Sequence, residues 1–169
     1  MTEIAARPAP GSRSVVALIV DRLVALGLRF VMARIFFLSG QSKIEGPVIP
    51  IDLNIRDLEF FVVLPAQIKD STFQMFETQY ANLPIAPTVA AYLFTYAEFV
   101  LPICLVLGFA TRFAALGLLI MTVLLQVYVL PAMWWPAHVY WASILLVLMS
   151  VGPGAVSIDA IIRYVYSRE

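Results

Sequence analysis

Between Phe113 and Ile158 the chain has no Asp, Glu, Lys or Arg, a run of 46 residues. Only Gln126 and His138 place strongly polar side chains in it. A membrane crossing needs about 20 mostly apolar residues to pass ~30 Å of hydrocarbon, so the run is too long for one soluble core helix and long enough for two spans. Other scarcities narrow the chemistry. The single cysteine, Cys104, excludes an internal disulfide and a CxxC redox pair. The single histidine, His138, excludes a multi-histidine metal site and bis-histidine haem ligation. No metal site is therefore expected. The glycine-rich, P-loop, zinc-protease and nucleophile-elbow motifs of soluble enzymes are missing. Charged residues are 13% of the chain, about half the ~25% of a soluble domain. Eleven basic and eleven acidic residues leave no net charge, and nothing points to nucleic acid.

What is present is apolar: 62% hydrophobic residues and a mean hydropathy of +0.90 over 169 residues. The lipid bilayer is the first partner these numbers imply. The first apolar segment carries Asp21, Arg22, Arg29 and Arg34 and lacks a small-residue cleavage site, so it reads as a retained helix, not a signal peptide. Residues 1–13, rich in Pro, Ala and Arg, read as a disordered tail ahead of one membrane domain over 14–169. Four spans are expected, at about 15–38, 87–107, 113–130 and 137–151. Ser39-Gly40 serves as the stop of the first, Gly108 of the second and Gly152-Pro153-Gly154 of the fourth. Pro131-Ala-Met-Trp-Trp-Pro136 marks the turn between the third and fourth, with Trp134 and Trp135 at the interface. The fold class is all-α: a transmembrane four-helix bundle with a long outer loop.

That loop, residues 41–83, holds a short helix. Ser71-x-x-Gln74 looks like a capping box, and Phe73, Phe76 and Tyr80 recur on one face. The face suits either a membrane-surface or partner-docking helix or a cover over the bundle's mouth. Ser157 is placed to cap a last, amphipathic helix. Basic residues at the two ends and in the turn between the second and third spans (Arg7, Arg13, Arg112, Arg163, Arg168) outnumber those of the long loop (Lys43, Arg56, Lys69). Both termini are therefore expected inside.

Polar groups at membrane depth are the candidate site. Arg29 lies eleven residues before Gly40 and Glu98 eleven after Pro87. Both then sit roughly 16 Å below the outer surface at 1.5 Å per residue. Intramembrane charges usually face the bundle interior and pair, so an Arg29–Glu98 ion pair is expected, either fixing register or handling protons. Arg34, Tyr92, Gln126 and His138 form a shallower layer, the lining of a pocket open outward.

Several stretches resemble the DoxX family. They are Arg29-Phe-Val-Met-Ala-Arg34-Ile-Phe-Phe-Leu-Ser-Gly40-Gln-Ser-Lys43, Phe76-Glu-Thr-Gln-Tyr80 with Leu83-Pro84, Glu98 through Leu107-Gly-Phe-Ala-Thr-Arg112, and Gly152-Pro-Gly-Ala-Val-Ser-Ile-Asp159. Arg29, Lys43, Glu98, Arg112 and Asp159 carry the family pattern here. The resemblance implies a four-helix protein of the bacterial inner membrane. It also implies association with a quinone-linked oxidoreductase, as its membrane subunit, with quinone as ligand and a redox protein as partner. Two other readings stand beside it. One is a non-catalytic scaffold docking proteins or lipids through the outer loop, and a second copy of the chain is a candidate partner under any of the readings. The other is a small-molecule carrier, against which no inverted repeat relates residues 14–80 to 84–151.

Overall fold

The computed structural model describes residues 15–52, 59–154 and 156–166. The expected tail over 1–13, Arg56 and Arg168 lie outside them. Among the described residues, four helices are long and apolar enough to cross a membrane. In chain order the elements are α1 (Val15–Lys43), β1 (Ile44–Glu45), β2 (Val48–Asp52), β3 (Glu59–Val63), β4 (Gln67–Ile68), α2 (Asp70–Thr78), α3 (Pro87–Leu107), α4 (Thr111–Leu124), α5 (Val139–Val151) and α6 (Ile158–Tyr166). A π-turn over Leu125–Val129, a 3-10 turn over Pro131–Met133 and a second π-turn over Trp134–His138 join α4 to α5. α1 packs on α3 and α5, α3 on α4, and α4 on α5, closing a four-helix bundle. Its core runs through Met32, Phe36, Ala91, Phe94, Leu105, Leu118 and Leu145.

Local chemistry sets most boundaries. Pro87 opens α3 at a position where its missing N–H costs nothing. Gly108, in the left-handed region at φ 69°, ends it, as its sequence position suggests. The Ser157 hydroxyl accepts from Ala160 N–H at 3.1 Å and opens α6. Ser71 does not cap α2. The helix begins one residue earlier at Asp70, after Lys69, with no side-chain cap.

The main departure from the expected spans is at Gly40. α1 does not stop at Ser39-Gly40 but continues to Lys43. Gly40 is a notch: a Cβ there would lie 3.1–3.2 Å from the backbone C, O and the Cβ of Glu98. The missing side chain lets α1 and α3 approach closely, as small residues do between membrane helices. At the far end of the same seam, a Cβ on Gly108 would meet Arg29 Nη1. The helices are therefore antiparallel, with Gly40 level with Glu98 and Arg29 level with Gly108.

This register leaves α1 short. Its last residue stands near the middle of α3, and the space above is filled by the loop. β1 pairs antiparallel with β4, Ile44 opposite Ile68. The carbonyl of Lys43, orphaned at the helix end, accepts from Lys69 N–H at 3.0 Å and from the Thr72 hydroxyl at 3.1 Å. That of Ser42 accepts from Lys69 Nζ at 2.8 Å. A second antiparallel pair, β2 with β3, runs from Val48 opposite Val63 to Asp52 opposite Glu59. It is anchored by the Gln41 side-chain amide, which takes both backbone groups of Val63, at 2.5 and 3.1 Å. The outer segment thus adds two small sheets to the expected interfacial helix.

The notch gives a direct test. Gly40→Val should cost about 1–3 kcal/mol through overpacking against the α3 backbone. Gly27→Ala, with nothing within 4 Å of its Cβ, should not destabilise. Denaturant titration in micelles compares the two, and equal stability of the Gly40 variant and the parent would refute the notch.

Candidate functional site: two buried charge centres

The expected Arg29–Glu98 pair is not formed. With Gly40 level with Glu98, and not with Pro87, Arg29 lies roughly 16 Å further along the bundle, eleven residues at 1.5 Å each. Glu98, 2% exposed, instead pairs with the Nζ of Lys43, 6% exposed. Lys43 is the last residue of α1, so the charge lies in the bundle and not in the outer loop. Ser39, one turn back, accepts from Lys43 Nζ at 3.2 Å and its hydroxyl also bonds to Glu98. The Thr95 hydroxyl, fully buried one turn from Glu98, has no partner among the described residues. Tyr80, which follows α2, lies within the field of Glu98: burial first, then that carboxylate's negative charge, raises its phenol above the ordinary value of 10.

Arg29, 1% exposed, belongs to a second centre at the Gly108 end. Its Nη2 donates to Val156 O at 2.8 Å, and its Nε and Nη1 have no hydrogen-bond partner among the described residues. Asp159 is the carboxylate whose charge acts on it. The same carboxylate caps α4 in trans, accepting from Ala110 N–H at 2.9 Å and from Thr111 N–H at 3.1 Å. Ala110 precedes α4 with φ 46° and has no side chain able to cap. Asp159 therefore supplies the acceptor that the chain lacks locally, where an anion is also favoured by the helix dipole. Asp159 N–H donates to Gly108 O at 3.1 Å, so the start of α6 is tied to the α3–α4 turn. Arg112, also in this end, bonds weakly to Ser150 O at 3.5 Å.

The expected polar layer divides. Gln126 and His138 meet: Gln126 Oε1 lies 2.7 Å from His138 Nδ1, and Gln126 Nε2 donates to Pro131 O at 2.8 Å. This ties the two sides of the Trp-rich turn, with His138 buried against Trp141. Tyr92 does not join them. It is exposed, stacked on Tyr96 and edge-on to Phe73. Arg34 is five residues from Arg29, on another face of α1, and is exposed. The four residues line no common pocket, because 100° per residue turns Arg34 and Tyr92 outward.

The aromatic face of α2 also turns inward. Phe76 is fully buried, with ring centroids 5.8 Å from Phe94 and 4.6 Å from Tyr80, and Phe73 and Tyr80 pack on the same core. Phe76 thus covers the bundle mouth, while Phe73 and Tyr80 stay partly exposed. Lys43 is the buried partner of Glu98 that reading Gly40 as a helix stop obscures. Its presence beside Glu98 in the family pattern was the available signal.

Two outcomes test these centres. Lys43→Met strands the carboxylate and should cost about 3–5 kcal/mol, whereas Lys43→Met with Glu98→Leu should recover most of it. A double-mutant cycle in micelles measures the coupling, and additive losses would refute it. Because the Tyr80 phenol titrates higher in the folded protein, the stability it confers is whole below pH ~10 and is lost as pH rises through the folded value. Tyr80→Phe should flatten that alkaline decline and remove the latest step in the tyrosinate absorbance titration. An unchanged profile would contradict it.

Comparison with curated proteins and with solved structures returns no match. Comparison with known families matches residues 24–131 to DoxX. That stretch takes in the α1–α3 seam, Lys43, Glu98, Arg29 and the α3–α4 turn. It covers 108 of the 169 residues, 24 to 131 inclusive. With four membrane-length helices among the described residues and a family match across well over half of its length, the chain belongs to the DoxX family.

Proposed function

We propose that this protein is a membrane subunit of a quinone-linked oxidoreductase and that Glu98, with Lys43, handles protons for it. The observation that carries the reading is an ionisable pair wholly inside a membrane bundle. Intramembrane acid and amine groups are costly and mark proton relays in many membrane proteins. A quinone takes two electrons and two protons to become a quinol. Cys104 alone forms no dithiol pair, so a partner protein supplies the electrons. Glu98 gives up a proton toward the quinone and is reprotonated from the loop side, where the Ser39 hydroxyl bonds to it and Tyr80 lies within its field. Lys43 holds the carboxylate's charge between transfers.

The same reading places the protein in a bacterial inner membrane with both termini cytoplasmic. Moving Lys43 into the bundle leaves Arg56 and Lys69 as the loop's basic residues against five elsewhere, which strengthens the charge bias behind that orientation. Of the three aromatics on which the scaffold reading relied, Phe76 faces the core.

The test compares function with stability in the complex isolated from native membranes. Glu98→Gln should lower quinone reduction at least tenfold while the partner still co-purifies. The Lys43→Met, Glu98→Leu double variant should restore thermal stability and remain inactive. Recovery of both stability and turnover in the double variant would reduce the pair to a structural role and overturn the proposal.

A further inference from the structure

A groove of about 430 Å³ lies on the side of the bundle between α1 and α3, with β3 across one end. Phe30, Phe37 and Leu38 of α1, Ile103 and Val106 of α3, and Phe61 of β3 line it. Among the lining residues, Arg34 is the one with a charged side chain. Among the described residues Arg34 has neither an ion pair nor a hydrogen bond. A bare guanidinium rising from apolar walls on a membrane helix needs either water or an anion.

We infer that this groove binds one anionic phospholipid of the surrounding bilayer, its phosphate on Arg34 and one acyl chain along the groove. Three features choose that occupant. Arg34 is five residues from Arg29, which is level with the α3–α4 turn, so it starts about 7.5 Å from that end of the bundle. Side chains on a helix lean toward its N-terminus, and the N-terminal direction of α1 is toward the same end. The guanidinium therefore reaches the headgroup boundary. Second, Phe30 to Leu38 spans about 12 Å of helix, most of the ~15 Å that one leaflet of a ~30 Å core provides. A single-leaflet acyl chain fits that length. Third, the planar guanidinium matches two phosphate oxygens at once, a pairing that a zwitterionic lipid's neighbouring cation weakens.

Native mass spectrometry of the full chain released from mixed vesicles tests this. The vesicles contain equal phosphatidylglycerol and phosphatidylcholine, with oleate added in a parallel sample. One phosphatidylglycerol should stay bound, and Arg34→Gln should lower its bound fraction at least tenfold. Ile103→Trp, which fills the groove and leaves the charge, should lower it similarly. Melting temperatures within a few degrees of the parent confirm that both variants fold. Equal retention of phosphatidylcholine, displacement of the phospholipid by oleate, or undiminished binding in either variant would overturn the assignment. The readout involves no turnover, so it stands or falls apart from the role proposed for Glu98.

Discussion

No water solvates a charge or an orphaned carbonyl inside hydrocarbon, so the height at which α1 stands against α3 is fixed by where polar atoms find partners. The Lys43–Glu98 pair is the centre of that constraint. Gly40 lets the two backbones close beside it, and Gly108 makes room for Arg29 at the other end of the seam. The two notches and the charge pair agree on one register. The rest of the outer half follows from it. A helix that ends at mid-bundle leaves carbonyls exposed, and Lys69 and Thr72 satisfy them. A helix that ends early also leaves apolar α3 surface uncovered, and Phe76 of α2 fills that space against Phe94.

The Gly108 end solves the same problem with different parts. There the α3–α4 turn needs an acceptor for Ala110 and Thr111 N–H, and the buried Arg29 needs negative charge near it. Asp159 answers both, and Val156 O adds a direct bond to the guanidinium. Both residues lie beyond position 131, where the family match ends. The segment leading into α6 is therefore part of the bundle's closure. α6 itself presents Ile161 and Val165 outward, as an interfacial helix does.

Hydropathy made the four spans legible, and local chemistry made the Gly108 stop, the Trp-rich turn and the Ser157 cap legible, because each depends on residues adjacent in sequence. The height of one span relative to another depends on contacts between residues far apart. Gly40 shows the ambiguity. After an apolar run, glycine reads equally as a stop or as a close approach, and only the facing backbone of Glu98 decides. Taking it as a stop shifted α1 by about half of α3, which moved Lys43 out of the bundle and set Arg29 opposite the wrong partner. The aromatic stripe of α2 carried a similar ambiguity. Spacing shows that Phe73, Phe76 and Tyr80 share a face, while the gap above Lys43 determines that the face turns inward.

The energetics of the central pair bear on why it is there. A fully buried ion pair gains Coulomb energy but loses the hydration of both charges, and apolar replacements of similar volume are often neutral or stabilising. The glycine notches support the same register through a steric demand that is local and independent of charge. A pair needed only for alignment would duplicate what Gly40 provides at the same level. Ser39 adds a hydroxyl bonded to Glu98 where leucine or phenylalanine would pack without desolvation. A titratable carboxylate held in the bundle at this cost, with the Ser39 hydroxyl bonded to it, is what the proton-handling role proposed above requires.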